Sequence, residues 1–537
     1  MCRTIFSLLV GLLIFSAAAH ADELDTLLQE LRSKSFSTKA NVIDKLAEIN
    51  DPQIINILQH MLEGKLYYTK KDKVTVFAIK EKSLYRLFNA RTQEPMGQVK
   101  KREIKKISVN NSLRRQLRAT IANLSLFNKD PKKRLLAAEE LLKNFDSEQE
   151  DNIRKALEKE THSDVRDVLQ SIKATLDLNN NEKSIRLAAI EHLGESLSQE
   201  TINQLNGLIA KDSNGKFLEQ DQEIRQAAEK AITRIESKRV WYAQVENLFF
   251  GISLGSVLLL AAIGLAITFG VMGVINMAHG EMMMLGAYTT YVIQQAFPGL
   301  LEASLIIAIP AAFIIAGLFG VAIERTVIRH LYGRPLETLL ATFGISLILQ
   351  QLVRSVFSPL NRAVSTPEWM SGSWQINDAL SITYSRVYIV VFSLLVLVGL
   401  MLFMKRTFFG LQMRAVTQNR PMASSMGINT GWVDAMTFGL GSGIAGIAGV
   451  ALSQLTNVGP NLGQAYIVDS FMVVVFGGVG NLWGTLVGAM SLGIINKFME
   501  PFTGSVLAKI LVLIFIILFI QKRPRGLFAL KGRSVED

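Results

Sequence analysis

The second half of the chain consists of long apolar runs that are almost free of charge, and this feature constrains the fold most strongly. Backbone polar groups cannot stay unpaired in lipid, so an apolar run of about 20 residues predicts a helix that spans a membrane. We therefore predict an all-α, polytopic membrane helix bundle with about eight or nine transmembrane segments. The runs cover residues 247–278, 282–301, 303–323, 337–352, 387–404, 432–454, 466–479, 482–497 and 506–520.

Basic residues cluster between these runs and predict how the bundle is oriented. The clusters lie at residues 325–330, 405–420 and 522–525. With the N-terminal part outside and about nine crossings, all three clusters fall on the cytoplasmic side, as the positive-inside rule requires. We therefore expect a multi-pass protein of a bacterial inner membrane with a cytoplasmic C-terminus. The net charge of +11 then reflects topology, and no nucleic acid partner is expected.

Residues 1–21 have the pattern of a signal peptide. Arg3 supplies the positive charge, residues 5–15 form a short apolar core, and Ala19-His20-Ala21 fits a small-residue cleavage site. The alternative is a first membrane anchor, but the apolar core is shorter than the roughly 20 residues that a span needs. Cleavage would place the following domain in the periplasm. The one cysteine, Cys2, lies inside the signal, so we expect neither disulfides nor thiolate chemistry in the mature protein.

Residues 22–240 are predicted to form a periplasmic, HEAT-like helical domain. Residues 133–141 resemble residues 184–193 and 222–229, and residues 163–168 are a weaker copy. Each copy has small residues at its centre and apolar residues at helical spacing, which is typical of stacked helical repeats. Such repeats usually present a surface to a partner.

A small β insertion is predicted inside this domain, at residues 66–107. Residues with a high β propensity alternate or cluster in two short ranges, 74–79 and 85–88, and predict two strands. Residues 94–97 contain proline and glycine and predict a turn. The sequence therefore predicts a short sheet between the helices.

The predicted periplasmic domain shows no catalytic or metal-binding pattern. Its histidines, His60, His162 and His192, are scattered and lack the spacing of metal ligands. Its carboxylates sit at positions typical of a solvated helix surface. We therefore predict no metal site and no enzyme in this domain.

Small residues at a spacing of four predict close helix contacts within the membrane bundle. The residues at this spacing are Gly251 and Gly255, Gly439 and Gly443, and Gly480, Gly484 and Gly488. Residues 477–481 are interpreted differently, because a backbone break at membrane depth can line a cavity. We predict that four of them line a translocation path, namely Gly477, Gly478, Gly480 and Asn481.

Polar residues inside the apolar half point to a path for a solute. Residues 276–281 separate two uncharged runs and supply Asn276, His279, Gly280 and Glu281. They either line a path at membrane depth or form a cytoplasmic turn that meets water. Gln350 either lines the same path or simply ends its helix. Two carboxylates near helix starts are interpreted as structural, because they offset the helix dipole: Asp434 and Asp469.

Three segments resemble the permease family of high-affinity branched-chain amino acid ABC importers. They are INMAHGEMMMLGAY at residues 275–288, the stretch 414–454, and FGGVGNLWGTLVGAMSLGI at residues 476–494. The resemblance covers residues 244–533, which we take as the permease domain. Within the family, residues 457–485, residues 521–533 and the exported extension are more similar to urea ABC transporter permeases.

This resemblance implies a permease subunit that translocates urea across the inner membrane. The alternative is an importer permease of the same family for branched-chain amino acids or a short amide. Expected partners are a second homologous permease, two cytoplasmic ATPase subunits, a periplasmic solute-binding protein and membrane lipid. No phosphate-binding glycine loop ending in Lys-Ser or Lys-Thr occurs, so the chain is expected to be no enzyme and to bind no cofactor. The partner subunits would bind ATP.

The resemblance also implies a segment that couples the permease to its ATPase, at residues 414–430. The positions that match the family are Arg414, Ala415, Ala423, Met426, Gly427, Ile428 and Asn429. A channel or secondary carrier with a periplasmic sensing domain is a third reading, but it leaves this segment unexplained. The loop at residues 355–386, with Trp369 and Trp374, is either a docking face for the binding protein or an interfacial aromatic belt.

Overall fold

The computed structural model describes residues 24–49, 52–81, 84–143 and 150–528. The chain divides into two compact units, Met1–Lys238 and Arg239–Asp537, and each is described by itself. The predicted signal peptide at residues 1–21 lies outside the described residues.

The first unit combines short helices with one antiparallel sheet. A helical stretch at residues 24–30 precedes the first complete helix. The helices are α1 (Phe36–Glu48), α2 (Pro52–Leu62), α3 (Asn111–Ser125), α4 (Pro131–Lys143), α5 (Glu150–Lys159), α6 (Ser163–Asp177), α7 (Lys183–Leu193) and α8 (Gln199–Ile209). The strands are β1 (Leu66–Thr69), β2 (Thr75–Glu81), β3 (Leu84–Asn89), β4 (Pro95–Val99) and β5 (Ile104–Lys106).

The predicted β insertion is present as a five-stranded sheet of order β4-β3-β2-β1-β5. The two predicted strands at residues 74–79 and 85–88 correspond to β2 and β3. The predicted turn at residues 94–97 is wrong, because strand β4 occupies these residues. The chain turns earlier, since the Asn89 side-chain oxygen accepts hydrogen bonds from the amides of Arg91 and Thr92, at 2.9 and 3.3 Å.

The repeated sequence copies form helices that also repeat a contact. One arginine recurs at the same place in three copies, and its guanidinium donates to a backbone carbonyl of the preceding loop. A repeated contact at a repeated sequence position indicates an internal structural repeat. The likeness to HEAT repeats stays a prediction. The three contacts join Arg134 to the Asn128 oxygen, Arg186 to the Leu178 oxygen and Arg225 to the Glu219 oxygen, each at 2.8 Å.

The second unit is a helical bundle that begins within a 51-residue helix. Its helices are α9 (Gln222–Met272), α10 (His279–Ala296), α11 (Ser304–Thr326), α12 (Pro335–Phe357), α13 (Tyr384–Arg406), α14 (Phe408–Gln418), α15 (Arg420–Ser425), α16 (Thr430–Ser453), α17 (Leu462–Gly477) and α18 (Leu482–Lys522). A two-stranded hairpin of β6 (Ser373–Asn377) and β7 (Leu380–Thr383) lies in the long loop before α13. This hairpin was not predicted from the sequence.

Six of the described helices are long and apolar enough to cross a membrane. The prediction of about eight or nine spans is larger than this count for three physical reasons. Helix α17 has only 16 residues. Helix α10 begins with polar residues, and α18 joins two predicted runs across a kink at Gly504, where φ is 77°. The six helical stretches are Gln222–Met272, Pro298–Thr326, Pro335–Phe357, Tyr384–Arg406, Thr430–Ser453 and Leu482–Lys522.

The glycines at a spacing of four lie at close helix contacts, as predicted. A Cβ atom on Gly251 would meet the Ile494 Cα of α18 at 2.7 Å. A Cβ atom on Gly443 would meet the Phe313 oxygen of α11 at 2.9 Å. Because only glycine lets the backbones approach this closely, these residues determine which helices are neighbours.

Helix α16 is central to the bundle and is buried along most of its length. Its Gly449 lies against the backbone of Met283 in α10, and its Gly446 lies against the Ala312 oxygen of α11. The helix therefore packs on α10 and α11 at once. This packing holds the start of α10, which carries the predicted polar residues, inside the unit.

Candidate functional site

Three side-chain caps build residues 407–430, which contain the predicted coupling segment at residues 414–430 and which we call the coupling segment below. The Thr407 hydroxyl accepts from the Gly410 amide at 3.0 Å and begins α14. The side-chain oxygens of Asn419 and Asn429 each accept an amide hydrogen bond and begin α15 and α16. Each cap satisfies an otherwise free donor at a helix start. The sequence therefore folds locally into helix, short helix and entry to the span.

Gly427 lies between α15 and α16 and has a left-handed backbone conformation, with φ at 85°. A side chain with a Cβ atom rarely adopts this conformation, although no atom lies within 4 Å of where that Cβ would stand. The glycine is therefore required by the backbone conformation and not by crowding. Its position lets the chain reverse between α15 and α16.

The predicted coupling residues differ in burial: some are buried inside the unit and others are exposed on its surface. Ala423 is buried, and Ile428 donates from its amide to the Ala423 oxygen at 3.1 Å. Arg414 is exposed, and its guanidinium donates to the Met404 carbonyl oxygen at 2.5 Å, which ties α14 to the end of α13. Ala415 is half-buried, whereas Asn429 is exposed apart from its capping role.

A group of large apolar side chains is exposed on this segment, and we call it the apolar coupling patch. Its members are Phe408, Leu411, Met422 and Met426, and Met426 is the most exposed at 77%. Large apolar side chains that are exposed outside the membrane-spanning helices are typical of a protein interaction site. Methionine side chains are flexible and suit such a surface.

A buried ion pair ties the coupling segment to α16. The Arg420 guanidinium contacts both carboxylate oxygens of Asp434, whose side chain is 2% exposed. It also stacks 3.9 Å above the Tyr332 ring, and the Tyr332 hydroxyl lies 3.4 Å from Asp434 Oδ1. Burial and the Asp434 charge raise the pKa of Tyr332 above its usual range. Asp434 was predicted to act only on the helix dipole, so the sequence missed its partners.

The second candidate site is a cluster of buried polar side chains around Glu281. Glu281 Oε1 accepts from the Ser346 hydroxyl at 2.9 Å and from Gln350 Nε2 at 2.8 Å. Glu281 is 1% exposed, and its second oxygen, Oε2, has no hydrogen-bond partner within the described ranges. Gln464 reaches the same cluster, with its Nε2 atom 3.5 Å from Ser346 Oγ. We call these four residues the Glu281 cluster.

Ser346 lies in the middle of α12, and the neighbouring His279 contacts α9 well before that helix ends, although Glu281 itself is in the first turn of α10. The ring of His279 is bonded through Nε2 to the Ala261 oxygen at 2.8 Å. Ala261 lies about 11 residues, or roughly 16 Å, before the end of α9. Ser346 lies a similar distance from the start of α12. Asn276, His279 and Glu281 are buried, so this segment is not a water-facing turn.

Gly280 brings α17 next to the start of α10. A Cβ on Gly280 would lie 2.6 Å from the Gly463 oxygen, so the two backbones touch. Asn276 borders a cavity of about 180 Å³ that Ile467 and Phe471 of α17 also line. Its Oδ1 accepts from the Ala278 amide at 3.0 Å, and its Nδ2 has no partner.

The glycine-rich turn after α17 lies apart from the Glu281 cluster. Gly477 is about 14 residues along α17 from Gly463, which corresponds to roughly 21 Å. The amide of Phe528 donates to the Gly477 oxygen at 3.1 Å, and Gly478 lies against the Phe528 backbone. The structure therefore separates the residues predicted for one path into two groups. Gly480 contacts Gly270, and Asn481 caps α18 by accepting from Trp483 N at 3.0 Å.

The sequence model described as "Branched-chain amino acid transport system / permease component" matches residues 247–520. The high-affinity branched-chain amino acid transport system permease protein LivH of Escherichia coli (strain K12) is 31% identical over 293 residues, which cover 53% of this chain and 94% of LivH. The chain belongs to the branched-chain amino acid ABC permease family. The permease is also 30% identical to BraD of Pseudomonas aeruginosa, over 53% of this chain and 96% of BraD.

Membership of the family has direct consequences for what this permease is. It is the membrane-spanning component of an ABC transport system, and such permeases are not themselves enzymes. It works with ATPase and binding-protein partners. A more distant relative, the ribose import permease protein RbsC of Escherichia coli (strain K12), is 24% identical over 47% of this chain and 77% of RbsC. Similarity to permeases with such different names does not by itself identify the solute.

Proposed function

We propose that this permease forms the membrane pathway of an importer for branched-chain amino acids. The observation that carries the proposal is the 31% identity to LivH along nearly the whole length of that relative. The name of BraD, at 30% identity, points to the same solute class. In a bacterium the site of action would be the inner membrane.

Urea or a short amide is the second candidate solute. It is favoured by the resemblance of residues 457–485 and 521–533 to urea permeases. The Glu281 cluster is compatible with either solute, since it offers carboxylate, hydroxyl and amide groups that can bind N–H donors. Uptake measurements must therefore test both solutes.

The apolar coupling patch is proposed to seat on a cytoplasmic ATPase subunit. The exposed Met422 and Met426 supply the contact, and the Arg420–Asp434 pair transmits its movement to α16. The assembly is proposed to contain a second homologous permease, two ATPases and a periplasmic solute-binding protein. A cytoplasmic C-terminus and a periplasmic N-terminal unit are proposed together. This orientation requires an odd number of crossings, so the six long apolar helices would be joined by an odd number of further crossings from α10, α17 or the two halves of the kinked α18.

The N-terminal unit is proposed to bind the solute-binding protein. Internal helical repeats are common in domains that bind other proteins, and the contacts of Arg134, Arg186 and Arg225 support such a repeat. The exposed Trp369 and Trp374 in the loop before α13 either add to that docking face or belong to an interfacial belt.

Uptake of labelled leucine and labelled urea tests the function. Both are measured at micromolar concentration in cells that lack the gene and in cells with the gene restored, with and without ATP depletion. Leucine uptake that needs both the gene and ATP supports the main proposal. Gene-dependent urea uptake that ignores excess leucine would replace it with the second candidate. Uptake that survives ATP depletion would contradict both.

A further inference from the structure

The Glu281 carboxylate is unusual because it is buried inside the membrane unit and forms no ion pair in the part of the chain that the structure describes. Glu281 Oε1 is held by Ser346 and Gln350, whereas Oε2 has no hydrogen-bond partner among the described residues. The nearest cation along α12 is Arg354, one turn beyond Gln350, and its guanidinium donates instead to Asn461 Oδ1 at 2.8 Å. A buried carboxylate oxygen without a partner is costly, and an ionisable residue at membrane depth is by default a functional one.

The two bonds to Oε1 fix the orientation of the carboxyl group. Ser346 and Gln350 lie one turn apart on α12, and Gln350 also donates to the Ser346 hydroxyl at 3.3 Å. The three side chains therefore hold one another and cannot easily rotate. Oε2 is therefore held in one position. Binding of an N–H donor would not require the carboxyl group to be ordered first.

The cluster also reaches the surface of the unit. Gln464 is exposed, yet its side chain contacts the buried Ser346. An exposed amide on a helix of the membrane unit is unfavourable against lipid, so this position suits a partner interface or an aqueous path. The contact of Gly280 with Gly463 keeps this surface residue close to Glu281.

We propose that Glu281 is a transient binding site for the solute inside the membrane, and that it selects N–H donors. The ammonium group of an amino acid or an amide NH₂ of urea would donate to Oε2, while Ser346 and Gln350 keep the carboxyl group in place. An anionic solute without N–H groups would be repelled. This inference rests on the proposed function, because it specifies which solute chemistry the pathway accepts.

The test uses the complete importer reconstituted in liposomes, with Glu281→Gln compared to the natural chain. Glutamine keeps the shape of the side chain and its bonds to α12, but it loses the charge. We expect the amount of leucine or urea carried per ATP hydrolysed to fall about tenfold, the loss typical of a hydrogen bond to a charged group. The control is Tyr288→Phe, which removes a different buried polar atom of α10, a hydroxyl without a partner among the described residues, and should leave the ratio unchanged.

A second measurement decides the case if Glu281→Gln lowers assembly of the complex. Ala465, the exposed neighbour of Gln464, is replaced by cysteine in a chain whose other cysteine, Cys2, is replaced by serine. Millimolar leucine or urea should slow maleimide labelling of Ala465→Cys, and Glu281→Gln should abolish the protection. Labelling that ignores both solutes, or protection that survives Glu281→Gln, would overturn the site.

The outcomes separate the site from the proposed function. If the natural importer carries neither leucine nor urea, the proposed function fails. If it carries one of them and Glu281→Gln leaves the transport-to-ATP ratio unchanged, only the Glu281 site fails.

Discussion

Asp434 carries a buried charge, and Arg420 is the group that balances it. Because the Asp434 side chain is 2% exposed, removal of Arg420 leaves a carboxylate that neither water nor another cation in the described contacts neutralises. We expect Arg420→Ala to destabilise the coupling segment by about 2 kcal/mol, below the range for fully buried pairs because Arg420 is partly exposed. ATPase activity stimulated by the binding protein should fall with it.

A double substitution distinguishes charge balance from packing. Arg420→Ala with Asp434→Asn removes both charges, so the melting temperature of the purified permease should recover part of the loss. Arg329→Ala is the control, since Arg329 is exposed in the neighbouring loop. Equal melting temperatures for the single and double variants would show that the pair contributes no charge balance.

Glu160 makes the first unit sensitive to acid. Its ion pair with Arg134, together with backbone amides, lowers the pKa of Glu160 from 4.5 to about 2. The folded state therefore binds fewer protons than the unfolded state, and the stabilisation present above about pH 4.5 is lost as the pH falls towards 2. Amide protection in α4 and α6, measured by hydrogen exchange, should decrease over this window.

In the Glu160→Gln variant, amide protection in α4 and α6 should no longer decrease as the pH falls. At neutral pH, the free energy of opening of these helices should already be lower than in the natural chain by about 2 kcal/mol. The exposed Glu150, paired with Arg154 on the surface of α5, is the control. Glu150→Gln should change protection little, because exposed pairs contribute little. An acid response that is the same in Glu160→Gln and the natural chain would contradict this account.

At the scale of helices, glycine contacts define how α16 sits in the bundle. A Cβ atom on Gly449 would overlap the Met283 oxygen of α10, whereas Gly344 in α12 has no atom within 4 Å of its Cβ position. We expect Gly449→Ala to destabilise the permease by about 1–3 kcal/mol through overpacking. Gly344→Ala should be neutral or stabilising by up to about 1 kcal/mol, because alanine favours helix.

Thermal unfolding of the two purified variants in detergent measures this difference. The comparison is informative because both substitutions add the same methyl group to a helix of similar length. A melting temperature for Gly449→Ala equal to that of Gly344→Ala would mean that α16 can shift away from α10.

Most helices of the membrane unit could be predicted from the sequence because lipid requires long apolar segments. The exceptions are α9, which begins 25 residues before its predicted run, and α18, which joins two predicted runs. The hairpin of β6 and β7 could not, since two strands of five and four residues carry too little pattern. The partners of Asp434 and Glu281 were equally hidden. Tyr332 is 102 positions from Asp434, and Gln350 is 69 from Glu281, so only the packed helices bring them together.

The whole molecule consists of a membrane bundle and an N-terminal unit, and the N-terminal unit lies outside the family match at residues 247–520. Because the relatives match 53% of this chain and over 90% of their own length, the bundle alone corresponds to a complete permease. We therefore expect deletion of residues 22–240, with the predicted signal kept, to leave the ATPase bound.

Solute uptake should nevertheless fall about tenfold at limiting concentrations of the solute-binding protein, because its docking surface is lost. An excess of binding protein should restore uptake, since the deletion weakens capture but leaves the pathway intact. Copurification of the ATPase and uptake at two binding-protein concentrations check both parts. Uptake that is unaffected at limiting binding protein would contradict a docking role, and loss of the ATPase would show that the unit supports the bundle itself.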